Sequence, residues 1–329
     1  MRVYVVRGTT YEIGFQMGDR FRKQNREIPH YSESKKSFAL KTEDEIKDVV
    51  PELIEEIRGF ADGGKYDYEN ILTHALTLGR CPGCTVFAVG GMHTRDRKTL
   101  FARNYDGPEF FQHFDLYKTY PKGYYSHMGC VFDMIVGRED GINEKGLAIA
   151  TTGVRGKYTS RPGVWDHIAV RAVLDNCGNT EEAASLLKEL PHLWTKNFLV
   201  ADSRNIMVVE AAQQGVDVIR PENGFGVITN HFTSEEMKRF NDDGDPMYKT
   251  YERYDKISKW FERKKDDLIV DDIKRILNDP ERGVLSNFRG EKKTNSFLTV
   301  WSWIATTGER SFSLSKGTPI DGIYEDFCF

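Results

Sequence analysis

A sulfur nucleophile is the first chemistry this sequence offers. Cys81 and Cys84 stand in R-C-P-G-C-T-V-F-A-V-G-G, Arg80 to Gly91, and two kinds of reaction fit that stretch. The C-x-x-C spacing suits a redox pair, whose first thiol opens a helix and has a lowered pKa. Here a β-branched and aromatic run, T-V-F-A-V, follows instead of a helix. The remaining cysteines, Cys130, Cys177 and Cys328, supply no second C-x-x-C for a four-thiolate zinc site. The other reaction makes Cys84 a lone nucleophile. A thiol of ordinary pKa, about 8.5, is only a few per cent thiolate at neutral pH, so it needs a base. The eight histidines, spread from His30 to His231, form no local motif. Cleavage of the Gly83–Cys84 bond would supply a base, because it frees an α-amine of pKa about 7.7 to 8 on the residue that carries the thiol.

The elements that must position this cysteine change character along the chain. The first 80 residues read mostly as helix. Thr42 and Glu45 form a T-x-x-E capping box ahead of Ile46, Val49, Leu53, Ile57 and Phe60, with Pro51 kinking or restarting the helix. After Cys84 come short apolar runs separated by glycine and charged turns. Thr85–Val89 and Thr99–Asn104 read as a hairpin, and Val131–Val136 and Gly146–Thr152 as strands around the turn N-E-K-G. Two helices follow, Trp165–Leu174 and Glu181–Leu190, the second capped by Asn179. Strands return at Phe198–Asp202, Ile206–Ala211, Val216–Arg220 and Gly226–Thr229, then a helix marked by Met247, Tyr251, Tyr254, Ile257 and Phe261, then Asp271–Leu277. Phe297–Ile304 and Ser311–Ser315 close the chain. Runs of strands alternating with runs of helices argue for an α+β protein with antiparallel sheets layered by helices, rather than a βαβ fold.

Four stretches in order, G-C-T-V-F, L-F-A-R-N-Y-D, D-G-I-N-E-K-G-L-A-I-A and V-I-T-N-H-F, resemble the N-terminal-nucleophile (Ntn) hydrolases of the choloylglycine hydrolase and isopenicillin N acyltransferase kind. The opening G-T-T-Y-E-I-G-F-Q-M-G is similar to the propeptide start of the acyltransferase, or C45 peptidase-type, branch. The resemblance implies a four-layer αββα sandwich preceded by a helical propeptide. Residues 1–83 would be released by self-cleavage yet stay bound, and the other 329 − 83 = 246 residues would be catalytic. It implies Cys84 as nucleophile after cleavage at Gly83, with Arg103 and Asp106 beside it and Asn230 as an oxyanion donor. Further oxyanion or substrate candidates are Thr152, Gly153, Ser296 and His231. Gly153 stands where bile-salt enzymes carry a second asparagine, and Ser296 where they carry an arginine, which pulls the reading toward the acyltransferase branch. Arg103 and Asp106 are three apart, so a regular strand would turn them to opposite sides. The chain must bend or leave the sheet near Asn104 for both to reach one cavity.

The expected activity is hydrolysis or acyl transfer at a linear non-peptide amide through a Cys84 thioester, with no metal or organic cofactor. Two alternatives stand beside it: a thiol oxidoreductase using Cys81 and Cys84, and an unprocessed small-molecule binding protein. A net charge of −4 with interspersed signs shows no footprint for nucleic acid or anionic membrane, so the expected partner is a small acyl amide or acyl donor. An αβ heterodimer cut from one precursor is expected, with a higher homo-oligomer open. The start M-R-V-Y-V-V carries neither signal-peptide nor membrane-helix character, and five scattered cysteines argue for reduced thiols, so the expected compartment is the cytoplasm.

Overall fold

A computed structural model describes residues 1–77, 83–108, 114–131, 136–156, 161–242, 249–264, 266–278, 287–288, 297–315, 317–319 and 322–329, with 287, 288 and 297 described in backbone alone. Cys81 and Ser296 lie outside the described residues, as do the segments 132–135 and 279–280 of the expected strand and helix stop.

Two sheets carry the fold. The strands of the first are β1 (Val3–Gly8), β4 (Asp115–Pro121), β5 (His127–Val131), β6 (Asp140–Asn143), β7 (Ala148–Gly153), β8 (Lys196–Ala201), β9 (Ile206–Ala212) and β10 (Gly215–Ile219), in that spatial order. The second runs β11 (Phe225–Ile228), β2 (Gly83–Val89), β3 (Leu100–Pro108), β13 (Phe297–Thr306), β14 (Ser311–Ser315) and β15 (Tyr324–Cys328), with β12 (Asn287–Phe288) paired to β13. Every ladder is antiparallel except β1 with β4, which is parallel. Strand β1 is also where the N-terminal segment departs from the mostly helical expectation. Its buried Val6 faces the core, whereas Val3 and Val5 are exposed at the sheet edge.

Among the described residues, alternation along the strands sorts most of their side chains into three main cores, and those cores define four layers. Outside the first sheet lie α1 (Thr10–Lys23), α2 (Glu33–Ile46), α3 (Pro51–Gly64), α4 (Tyr68–Thr77), α5 (Asp166–Asn176) and α6 (Thr180–Glu189), packed on Val6, Ile149, Phe198, Val200 and Val209. Between the sheets lie Cys84, Val86, Tyr105, Ile142, Ala150, Leu199 and Trp301. Outside the second sheet, α7 (Thr250–Arg263) and α8 (Val270–Asn278) cover Phe87, Val89, Ala102 and Val227. The expected αββα sandwich is what forms.

Local signals explain the helix ends. Thr9 caps α1 in a capping box with Glu12, and Asn179 caps α6. The box expected at Thr42 does not form. Thr42 lies inside α2, where its hydroxyl donates to the Phe38 carbonyl, and the chain restarts at Pro51, whose missing N–H costs nothing in a first turn. Helices α1 and α3 touch backbone to backbone: a Cβ on Gly14 would stand 1.9 Å from the Glu56 carbonyl oxygen, and one on Gly59 2.0 Å from that of Tyr11. That contact seats α3 so that Glu56 points inward onto α5.

Candidate active site

Cys84 is the second residue of β2, a strand buried along its whole length. It pairs with Tyr105 on β3, and Val86 pairs with Arg103, so the period of two turns Cys84, Arg103 and Tyr105 to the same face, between the sheets. From that diagonal position Arg103 Nη2 donates to Cys84 Sγ at 3.2 Å and to the Thr151 carbonyl at 3.1 Å. Nη1 donates to Asp140 Oδ2 and to the Glu139 carbonyl, both at 2.7 Å.

Asp106 takes a different partner. It pairs with Gly83 on one side and Thr299 on the other, and its Oδ1 accepts from Thr299 Oγ1 at 2.6 Å. The expected bend near Asn104 is absent: β3 keeps regular register with β2 from Leu100 to Asp106, and Asn104 reaches the other way, to the Leu277 carbonyl of α8. The irregularity is in β13, between Thr299 and Trp301. That bulge lets Thr299 face Asp106 while Trp301 pairs with Tyr105 and stacks on it at 3.8 Å.

Burial pushes the Cys84 thiol up to about 11. Arg103 opposes the shift, while the nearby carboxylates of Asp106 and Glu139 add to it. That direction favours the protonated thiol at neutral pH. Arg103 is held well above its ordinary value: burial alone would lower it, but Cys84, Asp140 and Glu139 outweigh that cost.

Asn230 follows β11, which pairs with β2, and that pairing brings it to the start of β2. Its Oδ1 accepts from the Cys84 N–H at 3.2 Å, and its Nδ2 donates to the Gly153 carbonyl at 2.7 Å. Gly153 thus meets the site through its carbonyl. Thr152 donates to the Thr229 carbonyl, and Asn197 braces the same turn through the carbonyls of Thr229 and His231. His231 points toward α7, with Nδ1 2.8 Å from Thr250 Oγ1 and its ring 4.2 Å from that of Tyr251. Burial lowers it to about 4, with Arg253 adding to the shift, which leaves it neutral at physiological pH. The structure thus gathers Cys84, Arg103, Asn230 and Gly153 by direct contact, with Thr152 bracing the Asn230 turn, Asp106 beside the Gly83 junction and His231 behind it.

Arg253 on α7 escaped the sequence reading. Its Nη2 donates to Asn230 Oδ1 at 2.6 Å, and its Nη1 to Thr85 Oγ1 at 2.7 Å and to the Cys84 carbonyl. An arginine against Oδ1 forces the amide to present its NH2 group on the opposite side, toward Gly153. A signal was present: the buried face of α7 is Thr250, Arg253, Ile257 and Phe261, so an arginine occupies a core position of an amphipathic helix. Among the described residues no group of three or more His, Cys, Asp or Glu is placed to hold a metal ion.

The sequence profile of the acyl-coenzyme A:6-aminopenicillanic acid acyl-transferase family matches residues 93–321. The chain belongs to that family. Its members are Ntn-type enzymes that act on non-peptide amides or transfer acyl groups. Among solved structures, one variant of the conjugated bile acid hydrolase of Clostridium perfringens superposes with a TM-score of 0.53 at 17% identity, over 75% of this chain and 92% of that one. A second variant of that hydrolase gives 0.53 at 18%, over 74% and 92%. An N-acylethanolamine-hydrolyzing acid amidase ortholog of Caenorhabditis elegans gives 0.49 at 18%, over 68% and 93%. The bile acid hydrolase establishes the shared fold. No curated protein matches the chain in sequence.

Proposed function

We propose that this acyl-transferase family member is a self-processing cysteine amidohydrolase or acyltransferase, acting on a linear non-peptide amide or acyl donor through a Cys84 thioester. The observation that carries the reading is Arg103 Nη2 on Cys84 Sγ while one side chain, Asn230, spans the Cys84 nitrogen and Gly153.

In self-cleavage, Sγ adds to the Gly83 carbonyl carbon and the Cys84 nitrogen leaves with a proton. Water then hydrolyses the resulting thioester, giving a Gly83 carboxylate, a free thiol and a free α-amine. Asn230 Oδ1 accepts from that nitrogen, and Asp106, opposite Gly83, would hold the new amine. In turnover the amine takes the thiol proton, sulfur attacks the substrate carbonyl, and Asn230 Nδ2 donates to the developing oxyanion. Losing such a donor typically costs about 3 to 4 kcal/mol of barrier. The leaving amine departs with the proton, and water or an acceptor amine resolves the thioester. The cut frees the amine on the same residue, and Arg103 then favours thiolate against the burial that keeps the precursor thiol protonated.

Residues 1–83 and 84–329 are the two pieces of this proposal. Their continued association as an αβ heterodimer is supported by β1 paired with β4 and by Glu56 paired with Arg171. A zymogen of C45 type in the cytoplasm fits the same picture, and among the described residues no helix is long and apolar enough to cross a membrane.

Denaturing electrophoresis and intact-mass measurement test it. Wild type should give pieces of about 9 and 28 kDa, the 37.8 kDa chain divided as 83 to 246 residues, and Cys84→Ala should remain one inactive chain. Active protein that is a single polypeptide with a blocked nitrogen at residue 84 overturns the proposal.

A further inference from the structure

We propose that Asp140 is the positioning residue of this site: it anchors one arm of the Arg103 guanidinium so that the other arm is aimed at Cys84 Sγ. The inference rests on Cys84 being the nucleophile, as argued above. Asp140 opens β6, in the opposite sheet from Cys84, so the pair Arg103–Asp140 bridges the two sheets across their shared core. Both side chains are sealed from solvent, at 0% and 1% exposure.

The surroundings of Asp140 are built for a carboxylate that faces donors. Its Oδ2 accepts from Arg103 Nη1 at 2.7 Å and from Trp301 Nε1 at 3.3 Å, and its Oδ1 from the Cys130 N–H at 3.4 Å. Trp301 is in turn stacked on Tyr105, whose ring lies 4.7 Å from Arg103 Cζ. Arg103 Nε has no partner among the described residues, so the fork is steered by its two Nη groups alone. On Nη1 the charged acceptor is Asp140. On Nη2 the contacts are a carbonyl and the sulfur. A guanidinium is planar, so fixing Nη1 fixes where Nη2 points. Asp140 belongs to the D-G-I-N-E-K-G stretch, whose turn residues alone had an evident purpose in the sequence.

Among the described residues, the charged and titratable groups facing Cys84 are Arg103, Tyr105 and Asp106 on β3, Glu139 and Asp140 at the start of β6, and Arg253 on α7. Cys130 of β5 lies behind Asp140. Deleting a carboxylate near a thiol should by direct Coulomb action lower the pH at which thiolate forms. If Asp140 acts by aiming Arg103, the shift runs the other way. The test follows alkylation of Cys84 by iodoacetamide against pH, with the site located by peptide mass spectrometry.

Asp140→Ala should move the alkylation midpoint upward by about one pH unit, which is roughly tenfold less thiolate at neutral pH, and should slow self-cleavage alongside. Asp140→Asn, which keeps an acceptor for Nη1, should leave the midpoint at or below that of wild type. A midpoint in Asp140→Ala at or below wild type overturns the proposal, as does a rise in Asp140→Asn equal to that in Asp140→Ala. Should Asp140→Ala fail to fold, Asp140→Ser, too short to reach Arg103, carries the same expectation. Wild-type protein that stays uncut with an unreactive Cys84 would instead sink the nucleophile assignment, a result read without any Asp140 variant.

Discussion

Two of the fully buried arginines among the described residues, Arg171 and Arg103, are set to different work by their surroundings. Arg171 on α5 gives Nη1 and Nη2 to Glu56 on α3, at 3.0 and 2.6 Å, and Nε to Asp175 at 2.8 Å. Two carboxylates saturate it, and one of them comes from the 1–83 segment. Arg103 meets one carboxylate, two backbone carbonyls and a thiol. Both guanidinium groups stay charged against the cost of burial. The difference lies in what remains unspent. A guanidinium saturated by carboxylates ties two helices together, whereas one with a single countercharge still has an arm to stabilise an anion formed during a reaction.

Breaking the Arg171 side should cost the most. Glu56→Ala leaves a buried guanidinium short of a partner across the α3–α5 contact, and breaking such a pair destabilises by about 3 to 5 kcal/mol. Urea unfolding should show the loss, and the protein that remains folded should keep its Cys84 alkylation rate. A variant as stable as wild type would mean the contact is not what holds the N-terminal segment.

On the Cys84 side, Arg253→Met removes charged hydrogen bonds to Asn230, Thr85 and the Cys84 carbonyl. One charged hydrogen bond is worth about 1.5 to 3 kcal/mol, so self-cleavage should slow by roughly 10- to 100-fold. The melting temperature should change less than in Glu56→Ala. Unaltered processing kinetics would show that the Asn230 amide keeps its orientation unaided.

The smallest effect is acid sensitivity of the Arg171 cluster. His127 Nδ1 lies 3.0 Å from Asp175 Oδ1, and burial lowers this histidine to about 4 although Asp175 pulls the other way. Its folded pKa is below the unfolded one, so the unfolded chain binds more protons between about pH 6.5 and 4, and stability falls as pH drops through that window. His127 should contribute on the order of 1 to 2 kcal/mol of loss between pH 7 and 5. His127→Gln should flatten that limb of a stability–pH curve, and an unchanged slope would assign the loss elsewhere, His231 being the next group lowered to about 4.

Much of the fold was legible because its signals are local. The hairpin of β2 and β3, the N-E-K-G turn, the Asn179 cap and the restart at Pro51 each depend on a few neighbouring residues. Edge strand β1 was missed because six residues of mixed exposure carry a weak period. The Thr42 box was misread because a capping pattern inside a helix looks the same as one at its start. At the site, the order of motifs around Gly83 and Cys84 pointed to Arg103, Asp106 and Asn230, yet Asp140 carried no mark beyond its residue type and Arg253 only its place on the buried face of α7.

Residue types and order along the chain settled that a cysteine follows a glycine just ahead of a strand, that this strand forms a hairpin with the one that carries the arginine, and that helices flank two sheets. Which groups close around the sulfur was decided in three dimensions. Asp140 meets Arg103 from the opposite sheet, Arg253 arrives from a helix 169 residues downstream of Cys84, and a bulge in β13 seats Thr299 and Trp301 on their separate targets. The reason is physical: a buried charge is stabilised by whatever donors and acceptors the packed layers bring within about 3 Å, and that set is fixed by how sheets stack, not by spacing along one strand.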